Sequence, residues 1–134
     1  MVKAMRLQLL LLEDDDALRD EIREYLTRRR HHVTALSTVA EARRVLDLLL
    51  SSDRPLDAVI CDIYLQDGDG IDLYVEFAQR QPSCRWVLMS GDPDPQRLAA
   101  VRSAHPSLPR SILVEKPVSL RELADLLAPG GPGG

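Results

Sequence analysis

Acidic, hydroxyl and amino side chains directly follow short apolar segments at several points of this 134-residue chain. Carboxylates gathered in one place repel each other, and the pKa of at least one would rise unless a cation compensates. Oxygen-only ligands suit a hard divalent cation such as Mg²⁺, while a lysine and a serine beside them suit an anion. Together these groups predict phosphoryl chemistry on an aspartate. The residues are Glu13, Asp14, Asp62, Ser90 and Lys116.

Five apolar segments of strand length alternate with segments whose apolar residues recur every three to four positions. Nearly continuous apolar strands separated by helices predict a parallel sheet covered on both faces, which is an α/β doubly wound fold. The carboxyl ends of such strands share one edge, where ligands bind. The predicted strands are residues 7–12, 33–36, 58–61, 86–89 and 112–114.

Several predicted helices begin at residues suited to capping. Thr38 and Ser119 each stand three residues before a glutamate, which is the spacing of a capping box. For the first helix we predict Asp16 as the cap and leave the role of Asp15 open. The fourth helix, starting at Pro95, has only a thin apolar stripe, so we expect it to be the least firmly packed.

Composition excludes several classes of protein. A net charge of -4 and a single short basic run at residues 28–30 argue against binding of nucleic acid. The first apolar segment is short and is stopped by acids, so it predicts neither a signal peptide nor a membrane span, and we expect a cytoplasmic protein. Cys61 and Cys84 lack metal-site spacing and predict buried free thiols. We expect one domain over residues 1–127 and a flexible Gly/Pro tail or linker over 128–134.

Each candidate site residue also has an ordinary structural interpretation. Glu13 and Asp14 would serve as helix caps, and Asp62 as a loop residue before the turn-forming stretch 67–70. Lys116 alone would be a surface lysine. These interpretations are reasonable one by one, but together they require every such residue to fall by chance at a strand end.

Four stretches, in this order, resemble the receiver domain of bacterial response regulators, the CheY-like phosphoacceptors of two-component signal transduction. The resemblance covers about residues 7–127. It implies a five-stranded parallel sheet of order 2-1-3-4-5 and a signalling phosphoacceptor rather than a conventional enzyme. The stretches are LLLLEDDDALR, DAVICDIYLQDGDGIDL, WVLMSG and ILVEKPVS.

Carried over residue by residue, the resemblance implies that Asp62 is the phosphoacceptor. The phosphoryl group would come from a sensor histidine kinase or a phosphotransfer protein. Glu13 and Asp14, together with Asp62 and the backbone carbonyl of Tyr64, would position Mg²⁺.

The same resemblance assigns the residues around the phosphoryl group. Ser90 would turn its hydroxyl toward that group and Lys116 would pair with it, with Gly91 leaving room for the oxygens. The Lys116–Pro117 peptide would be cis, as X-Pro bonds permit. Phosphorylation would change the face of the fourth helix, fifth strand and fifth helix, which would contact a downstream effector domain or protein. Homodimerisation through this face stays open.

Three residues depart from the family pattern. Leu113 stands where the family usually has the aromatic partner of the Ser/Thr switch, so an aromatic flip is not available here. Gln66 replaces a common proline, which leaves its loop less restrained. Arg30 stands where glycine often ends the first helix, so either the helix ends differently or an arginine adopts a left-handed conformation.

Three other classes of protein were compared with the receiver interpretation. A haloacid dehalogenase-like phosphatase wants a second aspartate two residues after the nucleophile, where this chain has Tyr64. A flavodoxin-like FMN binder wants a glycine- and hydroxyl-rich loop after the first strand, where this chain has four acids. A pseudo-receiver that acts only as a docking module is disfavoured by the intact set of site residues.

Overall fold

A computed structural model describes residues 6–52 and 54–128 of the chain. A short 3₁₀ turn, Ala78–Arg80, continues the third helix. The elements in chain order are β1 Gln8–Leu12, α1 Asp16–Arg28, β2 His32–Leu36, α2 Val39–Ser51, β3 Ala58–Asp62, β4 Tyr64–Leu65, β5 Gly68–Asp69, α3 Gly70–Phe77, β6 Arg85–Ser90, α4 Pro95–Ala104, β7 Ser111–Glu115 and α5 Leu120–Leu127.

The main sheet has five strands in the order β2-β1-β3-β6-β7, and all its pairings are parallel. This is the predicted order 2-1-3-4-5, because β6 and β7 are the fourth and fifth strands of the main sheet. The fold class predicted from the sequence is therefore confirmed. The strands β4 and β5 form a separate antiparallel hairpin, which the sequence analysis had treated only as a turn.

Helices cover both faces of the sheet, and the central strand β1 contributes to both hydrophobic layers. Leu10 and Leu12 pack in the layer of α2, α3 and α4, whereas Leu9 and Leu11 pack in the layer of α1 and α5. All four side chains are at most 1% exposed. Burial of each leucine stabilises the fold by about 1.5–3 kcal/mol, which explains why the apolar run must be continuous.

The cap of α1 is Asp15 and not Asp16, so the prediction for Asp16 is wrong. The Asp15 backbone is extended, and its carboxylate accepts a hydrogen bond from the Leu18 amide at 3.1 Å. Asp16 is the first helical residue and pairs with Arg19 at 2.6 Å. The two acids are chemically identical, and the point at which the backbone turns decides which one caps.

The two predicted capping residues do cap their helices. Thr38 accepts from the Glu41 amide at 3.1 Å, and Ser119 accepts from the Glu122 amide at 3.2 Å. A further cap was not foreseen: the Asp67 carboxylate accepts from the first two amides of α2, at 2.9 and 3.1 Å. The hairpin is thereby tied to α2.

Other sequence expectations have clear outcomes. Helix α4 buries only Leu98, fewer side chains than any other described α-helix, as its thin stripe predicted. Arg30 has φ 71°, the left-handed conformation that was one of two alternatives. Cys61 and Cys84 are buried and unpaired, and burial raises the pKa of Cys84 to about 12.

Among the described residues, no helix has the length and apolar character required to cross a bilayer. Residues 129–134 of the predicted tail lie outside the described residues.

Candidate functional site

Three carboxylates meet at the carboxyl edge of the sheet. Glu13, Asp14 and Asp62 can each place a carboxylate oxygen so that all three oxygens lie within 4.8 Å of one another. The Glu13 side chain is fully buried and that of Asp62 is 8% exposed. The acids predicted to converge therefore do converge.

The register of the sheet brings these acids together. Leu12 of β1 is paired with Cys61 of β3, so the next residue on each strand is an acid, Glu13 beside Asp62. The Glu13 amide donates to the Leu36 carbonyl at 3.1 Å, which extends the β1–β2 ladder by one residue. Glu13 is thus held at the rim by the same hydrogen bonding that builds the sheet.

Lys116 joins two of the acids. Its Nζ donates to Glu13 Oε1 at 2.8 Å and to Asp62 Oδ2 at 3.0 Å. The Lys116 backbone amide donates to the Ser90 carbonyl at 2.8 Å, and the Lys116–Pro117 peptide is cis. The lysine reaches the acids from β7 because its backbone is fixed to the end of β6.

The charges at this edge influence each other's protonation. Burial raises the pKa of Glu13, and this effect outweighs the opposing influence of the Lys116 ammonium and the Asp15 amide. Burial lowers the pKa of Lys116, but the hydrogen bonds and the charge attraction to Glu13 and Asp62 together outweigh burial and raise that pKa overall. The lysine therefore stays charged while it holds two carboxylates.

Two supporting contacts were not predicted from the sequence. Glu13 Oε2 accepts a hydrogen bond from the Asp15 amide at 3.1 Å, and the Glu13 carbonyl accepts one from Arg19 Nη1 at 2.9 Å. Arg19 lies in the first turn of α1, belongs to no known motif, and has no local sequence pattern that would mark it as a site residue. Only the packing of α1 beside β1 brings its guanidinium to the strand end.

Ser90 is the last residue of β6 and is fully buried. Its Oγ accepts a hydrogen bond from the Asp92 amide at 3.0 Å, which leaves its own proton free to be donated. A Cβ placed on the neighbouring Gly91 would meet no atom within 4 Å, so the space beside Ser90 is open.

Gly70 is a site residue that sequence reasoning assigned only to a turn. A Cβ at this position would overlap the Asp62 carbonyl oxygen and lie 2.9 Å from Cys61 Sγ. The Gly70 amide donates to the Ile63 carbonyl at 2.7 Å. Glycine is needed here because the start of α3 presses against the backbone of Asp62.

The remaining predicted residues lie around this edge. Tyr64 follows Asp62 by two residues, and its side chain is exposed. Leu113 is half-buried on β7, and Gln66 is exposed at the tip of the hairpin between β4 and β5. A role for the Tyr64 carbonyl in holding a metal stays a prediction.

The donor set fits a hard divalent cation. The three clustered acids offer only carboxylate oxygens, and no histidine or cysteine takes part in this group. Carboxylate oxygens are the ligands that Mg²⁺ and Ca²⁺ prefer, whereas zinc usually takes nitrogen or sulfur.

Comparison with known families identifies the class of protein. Residues 9–128 match the response regulator receiver domain, and the chain belongs to this family. Among curated proteins, the regulatory protein VirG of Agrobacterium tumefaciens is 31% identical over 115 residues, which cover 84% of this chain and 39% of VirG. The chain spans about two fifths of the length of the curated relatives it matches.

Solved receiver domains share the fold. The non-phosphorylated HemR receiver domain from Leptospira biflexa superposes with a TM-score of 0.71 at 23% identity, covering 95% of this chain and 98% of that one. A response regulator protein from Burkholderia pseudomallei, with a phosphorylated aspartic acid, calcium ion and citrate, gives a TM-score of 0.72 at 18% identity, covering 91% and 66%.

Proposed function

We propose that this receiver domain accepts a phosphoryl group on Asp62 from a sensor histidine kinase or phosphotransfer protein, in a reaction that requires Mg²⁺. The observation that carries the proposal is the position of the Asp62 carboxylate. It ends β3 within a group of three acids and contacts Lys116 at 3.0 Å. The phosphorylated aspartic acid of the Burkholderia pseudomallei relative supports the same chemistry.

The reaction forms one bond and breaks one. A carboxylate oxygen of Asp62 attacks phosphorus, and the bond from phosphorus to the donor nitrogen of the phosphohistidine breaks, with the electron pair leaving on that nitrogen. Lys116 neutralises charge on the equatorial oxygens. Mg²⁺, held by Glu13, Asp14, Asp62 and the Tyr64 carbonyl, would supply further neutralisation.

The product is read by groups that already surround Asp62. A phosphoryl group adds negative charge and acceptor oxygens at the strand end. The Lys116 ammonium can leave Glu13 for a phosphoryl oxygen, and the Ser90 hydroxyl can donate to another. Ser90 ends β6 and Lys116 directly follows β7, and the chain continues from them into α4 and α5.

The output is a shift of population at the face made by α4, β7 and α5. Helix α4 buries the fewest side chains, so its rearrangement costs the least. Leu113 offers no aromatic ring to rotate, so the change is carried by backbone and helix position. An effector domain or protein would read this face.

Labelling with acetyl phosphate tests the proposal directly. The parent chain with Mg²⁺ is expected to gain one phosphoryl group, located at Asp62 by mass spectrometry after reductive trapping. The variant Asp62→Asn, and the parent without Mg²⁺, should gain none. Asp57→Asn at the opposite end of β3 is the matched control and should be labelled like the parent.

Two outcomes contradict the proposal. Labelling of Asp62→Asn to the parent level would place the phosphoryl group elsewhere. Labelling that persists after a chelator has removed Mg²⁺ would show that the reaction does not require the metal.

A further inference from the structure

The hairpin that follows the phosphoacceptor is too short to be stable alone. Tyr64–Leu65 and Gly68–Asp69 pair over only two residues each, with Tyr64 opposite Asp69. Isolated two-stranded hairpins are marginal in water even when longer. The position of residues 64–69, called the phosphoacceptor hairpin below, must therefore be set by contacts with other elements.

One side of the phosphoacceptor hairpin is fixed to α2. The Asp67 carboxylate accepts hydrogen bonds from the Val39 and Ala40 amides at 2.9 and 3.1 Å. These donors belong to the first turn of a helix, where the dipole also favours a negative charge. This attachment is to backbone groups that stay in place as long as α2 is folded.

The other side is attached to α4 through one side chain. Arg97 Nη2 lies 2.8 Å from Asp69 Oδ2, and the two side chains are 32% and 22% exposed, respectively. The other Asp69 oxygen caps α3 by accepting from the Ile71 amide at 2.8 Å. One carboxylate therefore joins the start of α3 to the first turn of α4.

Arg97 also contacts the second member of the cross-strand pair. Burial lowers its pKa, but the contacts with Asp69 and with the Tyr64 side chain outweigh burial and raise it. Tyr64 and Asp69 stand opposite each other in the hairpin. The ion pair with Asp69 therefore holds the hairpin at the end nearest Asp62.

Helix α4 has few other attachments on this side. Its only buried residue is Leu98, and Arg102 fastens the far end of the helix to the Ser111 carbonyl at 2.9 Å. Loss of the Arg97 contact would therefore leave α4 folded and attached to β7, but without its ion pair to the hairpin.

We propose that Arg97 is a positioning residue that couples α4 to the phosphoacceptor hairpin, so that events at Asp62 reach α4 through this ion pair. The inference rests on the proposed function, because it names the path by which the phosphoryl site and α4 influence each other. Such coupling is reciprocal: whatever orders the hairpin also orders α4, and the reverse.

Amide hydrogen exchange, measured residue by residue by NMR on the full chain, tests the coupling. The parent, Arg97→Gln and Arg43→Gln are compared without ligand and with Mg²⁺ plus beryllofluoride, a phosphoryl mimic. Arg43 is the control because it makes a similar ion pair with Glu76, at 2.9 Å, between α2 and α3.

Without ligand, Arg97→Gln should exchange about two- to fivefold faster than the parent in α4 and in the hairpin, the range for a partly exposed ion pair. Arg43→Gln should match the parent in both regions. With Mg²⁺ and beryllofluoride, exchange should change in both regions of the parent, but only in the hairpin of Arg97→Gln. Arg97→Lys, which keeps the charge, should restore part of the response of α4.

Asp69→Asn provides an independent variant, since asparagine caps α3 as well as aspartate does but cannot form the ion pair. Its amide exchange rates, with and without ligand, should match those of Arg97→Gln. Equal exchange in parent and Arg97→Gln without ligand, or an equal ligand response of α4, overturns the role of Arg97. A parent hairpin that ignores Mg²⁺ and beryllofluoride contradicts the proposed function instead, while the ligand-free comparison still decides the role of Arg97.

Discussion

The two edges of the sheet both carry acids and bases, but they hold them differently. At the amino edge, Asp57 Oδ2 accepts from the Gln8 amide at 2.7 Å and His31 Nδ1 accepts from the Leu7 amide at 3.1 Å. At the carboxyl edge, the carboxylates of Glu13 and Asp62 share the Lys116 ammonium. These two amino-edge side chains bind backbone amides, whereas at the carboxyl edge two carboxylates are joined through a side-chain ammonium.

The difference is that the amino-edge carboxylate is bound to a fixed backbone donor, whereas the carboxyl-edge carboxylates are bound to a movable side chain. A backbone amide is a fixed donor, so Asp57 is fully committed to the start of β1. An ammonium on a flexible stem can exchange one oxygen for another, and Asp62 can therefore change its partner without unfolding the sheet. Asp57 precedes β3 and Asp62 ends it, and of the two only Asp62 is held by a movable side-chain ammonium.

Replacement of the cation at each edge should give the largest contrast. Lys116→Ala is expected to keep metal binding but to lose the conformational response to beryllofluoride, because no cation then follows the phosphoryl oxygens. Arg85→Ala, which removes a cation bound to the Leu126 and Ala128 carbonyls at the amino edge, should keep the response. The response to beryllofluoride is measured by NMR chemical-shift changes in α4 and β7. An equal response in Lys116→Ala and parent would contradict the expected difference between the two edges.

Glycine replacements separate the tight part of the carboxyl edge from its open part. Gly70→Ala should lower the free energy of unfolding by about 1–3 kcal/mol, because its methyl group would press on the Asp62 backbone. Gly91→Ala should change it by less than about 0.5 kcal/mol. Urea denaturation measures both, and equal losses would show that Asp62 is not closely packed.

Asp57 tests whether the amino edge serves stability alone. Asp57→Ala removes a charged acceptor from the Gln8 amide, so the free energy of unfolding should fall by about 1–2 kcal/mol. Labelling of Asp62 by acetyl phosphate should be unchanged in the folded variant. A loss of labelling at full stability would mean that the two ends of β3 are coupled.

The smallest expected effect is a pH dependence at the same edge. Burial lowers the pKa of His31 from its ordinary value of 6.5, repulsion by Arg29 lowers it further, and Asp57 opposes both. The unfolded chain then binds the proton more readily, so the contribution of His31 is present above pH 6.5 and is lost as the pH falls.

Denaturation between pH 7 and pH 5 measures this contribution. The parent should lose slightly more stability over that range than His31→Gln, which does not titrate there. Parallel curves would show that His31 has the same proton affinity in both states.

Much of this fold could be predicted because its strands are buried on both faces. A continuous run such as residues 9–12 has no other stable place than the centre of a sheet, and the helical stripes follow the same burial. The phosphoacceptor hairpin escaped prediction because two residues per strand form no pattern. Its position depends on Asp67 and Arg97, whose partners are distant in sequence.

The candidate site likewise divides into residues that the sequence predicts and residues that it does not. The acids, Ser90 and Lys116 were found because strand ends share an edge, a property of the topology. The contact of Arg19 with Glu13 and the pressure of Gly70 on Asp62 depend on the side-by-side packing of elements. Even the choice between Asp15 and Asp16 required the backbone conformation.

Arg85 has a consequence for how the protein is handled. Its contacts with the last carbonyls of α5 bring residue 128 beside the start of β6, while Ser90 ends that strand. Five residue-to-residue steps of about 3.3 Å separate Arg85 from Ser90 along β6, a distance of about 17 Å. A label, tether or fused domain attached after residue 128 therefore begins at the edge of the sheet away from Asp62.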